Sequence, residues 1–166
     1  MTAGAQRLFF ALWPPRDVAR RIATQADALG IGGRRVALPR LHMTLAFVGA
    51  CDSAQTDALR DNAASIRAPA FDLVLDQLGH FARPGITWFG CTTAPDPLLA
   101  LAAGLAPADV DNRAFRPHVS VVHDSVPMAT RLIDPIAWRV TAFALIASGQ
   151  ATVAGAYREL DRWALA

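Results

Sequence analysis

Lysine is absent from this chain. All sixteen basic residues are arginine, which removes a P-loop lysine and a Schiff-base lysine from consideration. Alanine is abundant, so a compositional bias is the simplest account of that preference. Arginine nonetheless suits phosphate, which its planar fork grips at two points. Glutamate occurs once, at Glu159, and this excludes an HExxH helix and an EF-hand loop. Cysteine occurs twice, at Cys51 and Cys91. With no CxxC pair and no Cys/His cluster, no metal site is expected. Two isolated thiols fit a reducing cytoplasm. They read as small buried apolar residues, although the sequence leaves a disulfide between them open. Long apolar runs are also missing, and none reaches the roughly 18 residues of a membrane span. The opening "MTAGAQRLFFALWPPR" holds a short apolar patch cut by Trp13-Pro14-Pro15, with no small-residue cleavage site behind it. It reads as a strand, not a signal peptide. A cytoplasmic location and no membrane partner are expected.

What is present describes a globular chain. Of 166 residues, 53% are hydrophobic and 18% charged, enough to bury a core without staples. The length suits one domain spanning 1–166. A net charge of +2 and a pI near 8.9 tolerate an anionic substrate without demanding one. No heptad or exposed apolar stripe asks for a second copy, so a monomer is expected.

Periodicity places the elements. Residues 7–13 read as a buried strand ended by Pro14-Pro15. Val18, Ile22, Ala26 and Leu29 have helical spacing, with Gly30 as the stop. A loop follows, with a short strand at 35–38, then a period-2 strand at 42–48. Asp52 or Ser53 caps a second helix. Phe71, Leu73 and Leu75 alternate with Asp72, Val74 and Asp76. With the strand at 86–91 they predict a hairpin across Arg83-Pro84-Gly85. A third helix is expected at 95–106, a strand at 118–122, and two closing strands, 136–148 and 151–165, around Gly149. The order describes an α+β fold with mostly antiparallel pairing.

Two stretches carry the chemistry. "RLHMTLAFVG" at 40–49 and "RPHVSVVHD" at 116–124 each place a histidine two residues before a hydroxyl. In a strand, residues i and i+2 share a face. His42 and Thr44 therefore project together, as do His118 and Ser120. If the strands are neighbours, all four converge on one patch. Two imidazoles can act as base and acid near neutral pH. Flanking hydroxyls can donate to the non-bridging oxygens of a phosphate. The set fits in-line displacement at a phosphodiester with a histidine at each end, and no metal is required. The two motifs also hint at an internal duplication, topological rather than residue by residue.

"RLFFALWPP", "LHMTLAFVG", "FRPHVSVVHD" and the closing "YRELDRWAL", in that order, resemble the two-histidine (2H) phosphoesterase superfamily, in its LigT/ThpR-like branch of RNA 2′,3′-cyclic phosphodiesterases. The resemblance implies a bilobal fold, two pseudo-symmetric antiparallel sheets with outer helices around a central cleft. It implies metal-free opening of a 2′,3′-cyclic phosphate to a 2′-phosphate, and the reverse 2′–5′ joining of RNA such as tRNA halves. It makes His42 and His118 the catalytic pair, with His118 as base and His42 as acid, and Thr44 and Ser120 the phosphate-oxygen donors. No cofactor is implied; the partner is RNA ending in a cyclic phosphate, or a cyclic nucleotide. Ser120 departs from the more frequent Thr and loses only a methyl. His123 stands where many relatives carry Arg, five residues after the second histidine. Strict alternation turns His123 away from His118, unless the strand ends there. The absence of lysine also removes rim charges that relatives use.

Other residues are weaker candidates. Arg116 and Arg40 precede the motifs and read as rim groups within reach of a phosphate. Phe47 is expected in the core, opposite His42. Phe9, Trp13, Phe81, Trp88 and Phe115 are aromatic enough to stack a base but read as packing. His80 reads as structural. The competing readings are a phosphodiesterase of the same fold acting on a small cyclic nucleotide or an ADP-ribose cyclic phosphate, a non-catalytic RNA-end binding module, and a generic α+β interaction domain.

Overall fold

The computed structural model describes residues 4–109, 115–149 and 156–166. In chain order these form strand β1 (Gln6–Leu12), helix α1 (Arg16–Ala28), the short β2 (Arg34–Arg35), a 3-10 turn (Leu38–Arg40) and β3 (Met43–Cys51). Helix α2 (Ser53–Ser65), β4 (Phe71–Phe81), β5 (Ile86–Gly90) and α3 (Asp96–Leu105) follow. The chain closes with β6 (His118–His123), β7 (Arg131–Val140), β8 (Ala142–Ser148) and β9 (Tyr157–Ala164). Every strand pairing is antiparallel, and the fold is α+β as the pattern indicated.

Local chemistry explains the helices. α1 buries Val18, Ala19, Ile22 and Ala26 along one stripe, and Gly30 just past its end takes a φ of +61° that suits glycine. α2 opens with a reciprocal box. Asp52 Oδ1 accepts from the Gln55 N–H at 2.8 Å, and Gln55 Oε1 accepts from the Asp52 N–H at 2.9 Å. Such a cap contributes about 1 kcal/mol.

The strands run in the order β7-β4-β5-β6-β3-β1-β8-β9, with β2 attached to β6. This is two quartets, each with a motif strand at its inner edge. β3 and β6 meet at the single pair Met43–Val119, which joins the two expected sheets into one open sheet. Met43 and Val119 each follow a motif histidine, so a pseudo-twofold axis passes through that pair. The hairpin β4–β5 forms as predicted.

The closing region differs from expectation. Residues 136–148 are not one strand. β7 pairs with β4 at the edge of one quartet, and β8 pairs with β1 inside the other. The chain crosses between the quartets at Thr141, which interlocks them. No Gly or Pro interrupts residues 136–148, so no breaker announces the crossing. The short strand expected at 35–38 is confined to Arg34–Arg35 and gives way to the 3-10 turn. Residues 150–155, part of the expected last hairpin, lie outside the described residues.

The main core lies between the sheet and the helices. Phe10, Leu12, Ile22, Leu73, Phe89, Leu98 and Leu145 are almost fully enclosed there, each large apolar side chain contributing about 1.5–3 kcal/mol. A smaller cluster of Phe9, Ala11, Ala144 and Ile146 occupies the other face, packed by Trp13 and Tyr157. β1 is therefore buried on both faces, which is why "RLFFALW" is continuous rather than alternating.

Candidate active site

A β-bulge at the same offset shapes both motif strands. Across β1 and β3, Phe10 pairs with Ala46 but Ala11 with Thr44, so Leu45 is an extra residue. Across β5 and β6, Thr87 pairs with Val122 but Trp88 with Ser120, so Val121 is extra. Each bulge falls three residues after its histidine. A bulge reverses the alternation beyond it. Leu45 and Ala46 are both buried, as are Val121 and Val122, and residue +5 returns to the face of the histidine. Phe47 and His123 are those residues. The core position expected for Phe47 is overturned: its side chain is 73% exposed. His123 also turns inward, contrary to strict alternation.

One cleft of about 690 Å³ is lined by His42, Thr44, Phe47, His118, Ser120 and His123, together with Arg34, Arg35, Arg40 and Tyr157. The Met43–Val119 register, continued by one residue each way, sets His42 across from Ser120 and Thr44 across from His118. Neither hydroxyl has a hydrogen-bond partner among the described residues, so both are free to donate into the cleft.

The two imidazoles are held identically. His42 Nδ1 lies 2.7 Å from the Arg40 carbonyl oxygen, and His118 Nδ1 lies 2.7 Å from that of Arg116. A carbonyl only accepts, so each Nδ1 carries hydrogen and donates it. In each neutral ring the lone pair is left on Nε2.

The walls around them differ. Trp13 stacks on His42 at 4.9 Å and 11°, while Phe9 and Tyr157 approach at 5.3 and 5.2 Å. Trp13 is fixed by its Nε1–H donating to the Pro39 carbonyl at 3.2 Å. His118 meets Phe81 edge-on at 5.0 Å and Trp88 at 6.0 Å. Trp88 lies so close to Gly79 and Gly90 that a Cβ on Gly90 would come within 2.7 Å of its ring. Glycine is required there to leave room for the floor under His118.

Burial depresses the pKa of both imidazoles, because the charged form loses water. The carbonyl hydrogen bonds oppose this, while nearby guanidinium groups add to it, Arg40 beside His42 and Arg116 beside His118. His42 is lowered further by the charge of His118. His123 is lowered too, first by burial, then by Arg34, with Asp124 opposing and Arg40 adding to the effect.

The other candidates fall outside or at the edge of this cleft. Arg116 contributes its carbonyl, while its guanidinium lies over Trp88 at 5.9 Å. Arg40 stands on the wall with its guanidinium 4.7 Å over Tyr157. His80 sits away from the cleft, its Nδ1 3.3 Å from the Thr87 and Ser125 hydroxyls. Phe115 packs against the main core. Cys51 is buried and Cys91 half-buried, and both are free thiols. Among the described residues no three of His, Cys, Asp and Glu gather as a metal set, and no helix is long and apolar enough to cross a membrane. Sequence reasoning missed Tyr157, Arg34 and Arg35 as cleft residues. Tyr157 reaches His42 from the far end of the chain, and no local pattern marks it.

Paired His-x-hydroxyl strands at the centre of an antiparallel α+β sheet define the two-histidine class of phosphoesterase. The family model of the LigT like phosphoesterases matches residues 12–88, which takes in the first motif but not the second. The RNA 2′,3′-cyclic phosphodiesterase of Escherichia coli K12 is 36% identical over 172 aligned residues, 96% of this chain and 97% of that protein. The crystal structure of E. coli LigT in apo form superposes with a TM-score of 0.86 at 35% identity, covering 98% of this chain and 99% of that one. The E. coli LigT structure complexed with 3′-AMP gives 0.83 at 35%, covering 97% and 98%. This chain belongs to the LigT like phosphoesterase family.

Proposed function

We propose that this protein hydrolyses RNA 2′,3′-cyclic phosphate ends to 2′-phosphates, with His42 and His118 as the acid–base pair. The observation that carries the reading is the convergence of His42, Thr44, His118 and Ser120 on one cleft, each imidazole with Nδ1 tied to a carbonyl. Similarity over nearly the whole chain to the E. coli RNA 2′,3′-cyclic phosphodiesterase supports it.

In the proposed reaction a water oxygen attacks phosphorus as the P–O3′ bond breaks. His118 Nε2 takes the water proton, and His42 Nε2–H protonates the departing 3′ oxygen. The Thr44 and Ser120 hydroxyls donate to the non-bridging oxygens, where charge builds. Arg40 on the wall adds positive charge, and His123 adds it only once protonated. The products are a 2′-phosphomonoester and a 3′-hydroxyl, and proton exchange with water resets the rings. Joining would use the 5′-hydroxyl of a second RNA in place of water: it attacks the phosphorus of the 2′,3′-cyclic end, the P–O3′ bond breaks, and a 2′–5′ phosphodiester and a 3′-hydroxyl form with the same two proton carriers. The assigned roles need a proton on His42 and none on His118 in the substrate complex. Titration of both imidazoles by NMR, with and without a 2′-nucleotide bound, tests this. A proton that sits on His118 in the complex reverses the two roles.

The experiment for the function is cleavage of a short RNA ending in a 2′,3′-cyclic phosphate, with EDTA present. Turnover to a 2′-phosphate that is lost in His42→Ala and in His118→Ala is the expected result. A folded wild-type protein inert on this RNA and on 2′,3′-cyclic mononucleotides rejects the proposal.

A further inference from the structure

A second groove of about 530 Å³ adjoins the catalytic cleft and shares Arg40, His42, Phe47 and Tyr157 with it. Its outer wall adds Arg7, Phe9 and Ser148. The bulge at Leu45 holds Phe47 upright on the wall common to both spaces, where most of its ring meets solvent.

The cations of this groove have no carboxylate partner among the described residues. Arg34 is paired with Asp124 and Arg35 with Asp27. Arg7 and Arg40 have no carboxylate partner among the described residues, and the Arg40 guanidinium lies 4.7 Å over the Tyr157 ring. Unpaired guanidinium groups interleaved with an exposed aromatic ring are the recognition elements of single-stranded nucleic acid, one set for phosphates and the other for base faces. Arg7 lies on β1 four residues from Ala11, which pairs with Thr44, a displacement of ~13 Å along the strand. A phosphate held at Arg7 is therefore not the one that reacts between the histidines.

We propose that this groove is a subsite for the nucleotide preceding the cyclic-phosphate end, and that Arg7 grips a backbone phosphate of the RNA outside the reacting one. The inference rests on the proposed function and sharpens it. The substrate is an oligonucleotide end rather than a mononucleotide, since a 2′,3′-cyclic mononucleotide leaves the groove empty. The subsite reads backbone and base face rather than base edges, so it is tolerant of sequence.

The test compares adenosine 2′,3′-cyclic phosphate with pApA bearing the same cyclic end, for wild type and Arg7→Ala. Wild type is expected to prefer the dinucleotide by roughly tenfold or more in kcat/KM. In Arg7→Ala that ratio falls towards one, and the slope of log(kcat/KM) against log[salt] for the dinucleotide shrinks by about 0.7. Equal kcat/KM for the two substrates in wild type, or an unchanged ratio in the variant, overturns the subsite. Binding of the 2′-phosphorylated products pApAp and 2′-AMP is measured alongside and does not depend on turnover. A protein that hydrolyses neither substrate but binds pApAp more tightly, with the gain lost in Arg7→Ala, loses the proposed reaction and keeps the subsite. Equal affinities for the two products overturn the subsite whatever the turnover.

Discussion

The half of the sheet that carries His42 and the half that carries His118 use the same backbone and different walls. Each has a His-x-hydroxyl strand at the inner edge, an Nδ1–H tied to the carbonyl two residues earlier, and a bulge three residues on. The walls are Trp13, Phe9 and Tyr157 on one side and Phe81 and Trp88 on the other. Position +5 is an uncharged exposed ring in one half, Phe47, and a titratable one in the other, His123. The lesson is a division of labour. In the proposed reaction the features shared by both halves serve proton transfer, which needs two equivalent carriers. Features that differ give the cleft two unlike ends, which an asymmetric substrate requires.

The largest effects should come from the shared features. Replacing either His42 or His118 by Ala is expected to lower kcat by about 10² to 10⁴. The double variant should lose little more than the worse single one, because the pair acts as a unit. Rates from all three variants check this, and a double variant whose losses multiply would break the equivalence. The pH profile sharpens it. Both imidazoles are held below their ordinary value of 6.5, so the kcat/KM bell of the free enzyme should peak on the acid side of 6.5.

The hydroxyls come next. In the proposed reaction Thr44→Val and Ser120→Ala each remove a donor to a phosphate oxygen, with an expected loss of about 10²-fold in kcat. Ser120→Thr should stay near wild type, since it restores the donor and adds only a methyl. A Ser120→Ala enzyme as active as wild type would make phosphate stabilisation one-sided.

A difference between the walls gives a smaller effect. Trp13 covers His42 like a lid and excludes water from one ring face. Trp13→Ser should let the His42 pKa rise towards 6.5 and leave that of His118 nearly in place, read by the ring-proton shifts in an NMR titration. Movement of both values together would show the pair to be coupled more strongly than the separate walls suggest.

The fold and the four central groups were legible because both rest on short-range periodicity. Apolar spacing marked α1, a capping residue marked α2, and period 2 marked β4 and placed His42 with Thr44 and His118 with Ser120. The bulges were harder to see, since a bulge has no residue type of its own. Its trace is two adjacent apolar residues inside an alternating strand, Leu45-Ala46 and Val121-Val122. Strict alternation misplaces Phe47 and turns His123 away unless the strand ends there, because it takes that trace for ordinary strand. The crossing at Thr141 and the reach of Tyr157 to His42 left no local trace, since both are set by tertiary packing.

Position +5 yields the smallest effect and the most direct test of what the asymmetry does. At neutral pH His123 is held uncharged by burial and by Arg34 and Arg40, with Asp124 alone pulling the other way. His42 and His118 face it across the same cleft. As pH falls, His123 gains a proton, and in the proposed complex its positive charge lies beside the phosphate, so KM should fall with it. His123→Arg carries that charge at every pH. It should lower KM at pH 8 by about fivefold and flatten the dependence of KM on pH, with kcat little changed. His123→Gln should flatten it as well, at the weaker-binding level. Phe47→Arg places a cation at the equivalent position of the other half. If the two ends of the cleft were interchangeable it would tighten binding as His123→Arg does, whereas loss of the ring should weaken an oligonucleotide more than a mononucleotide. Steady-state KM for both substrates from pH 5 to 8 separates these outcomes, and identical behaviour of the two arginine variants would remove the distinction between the halves.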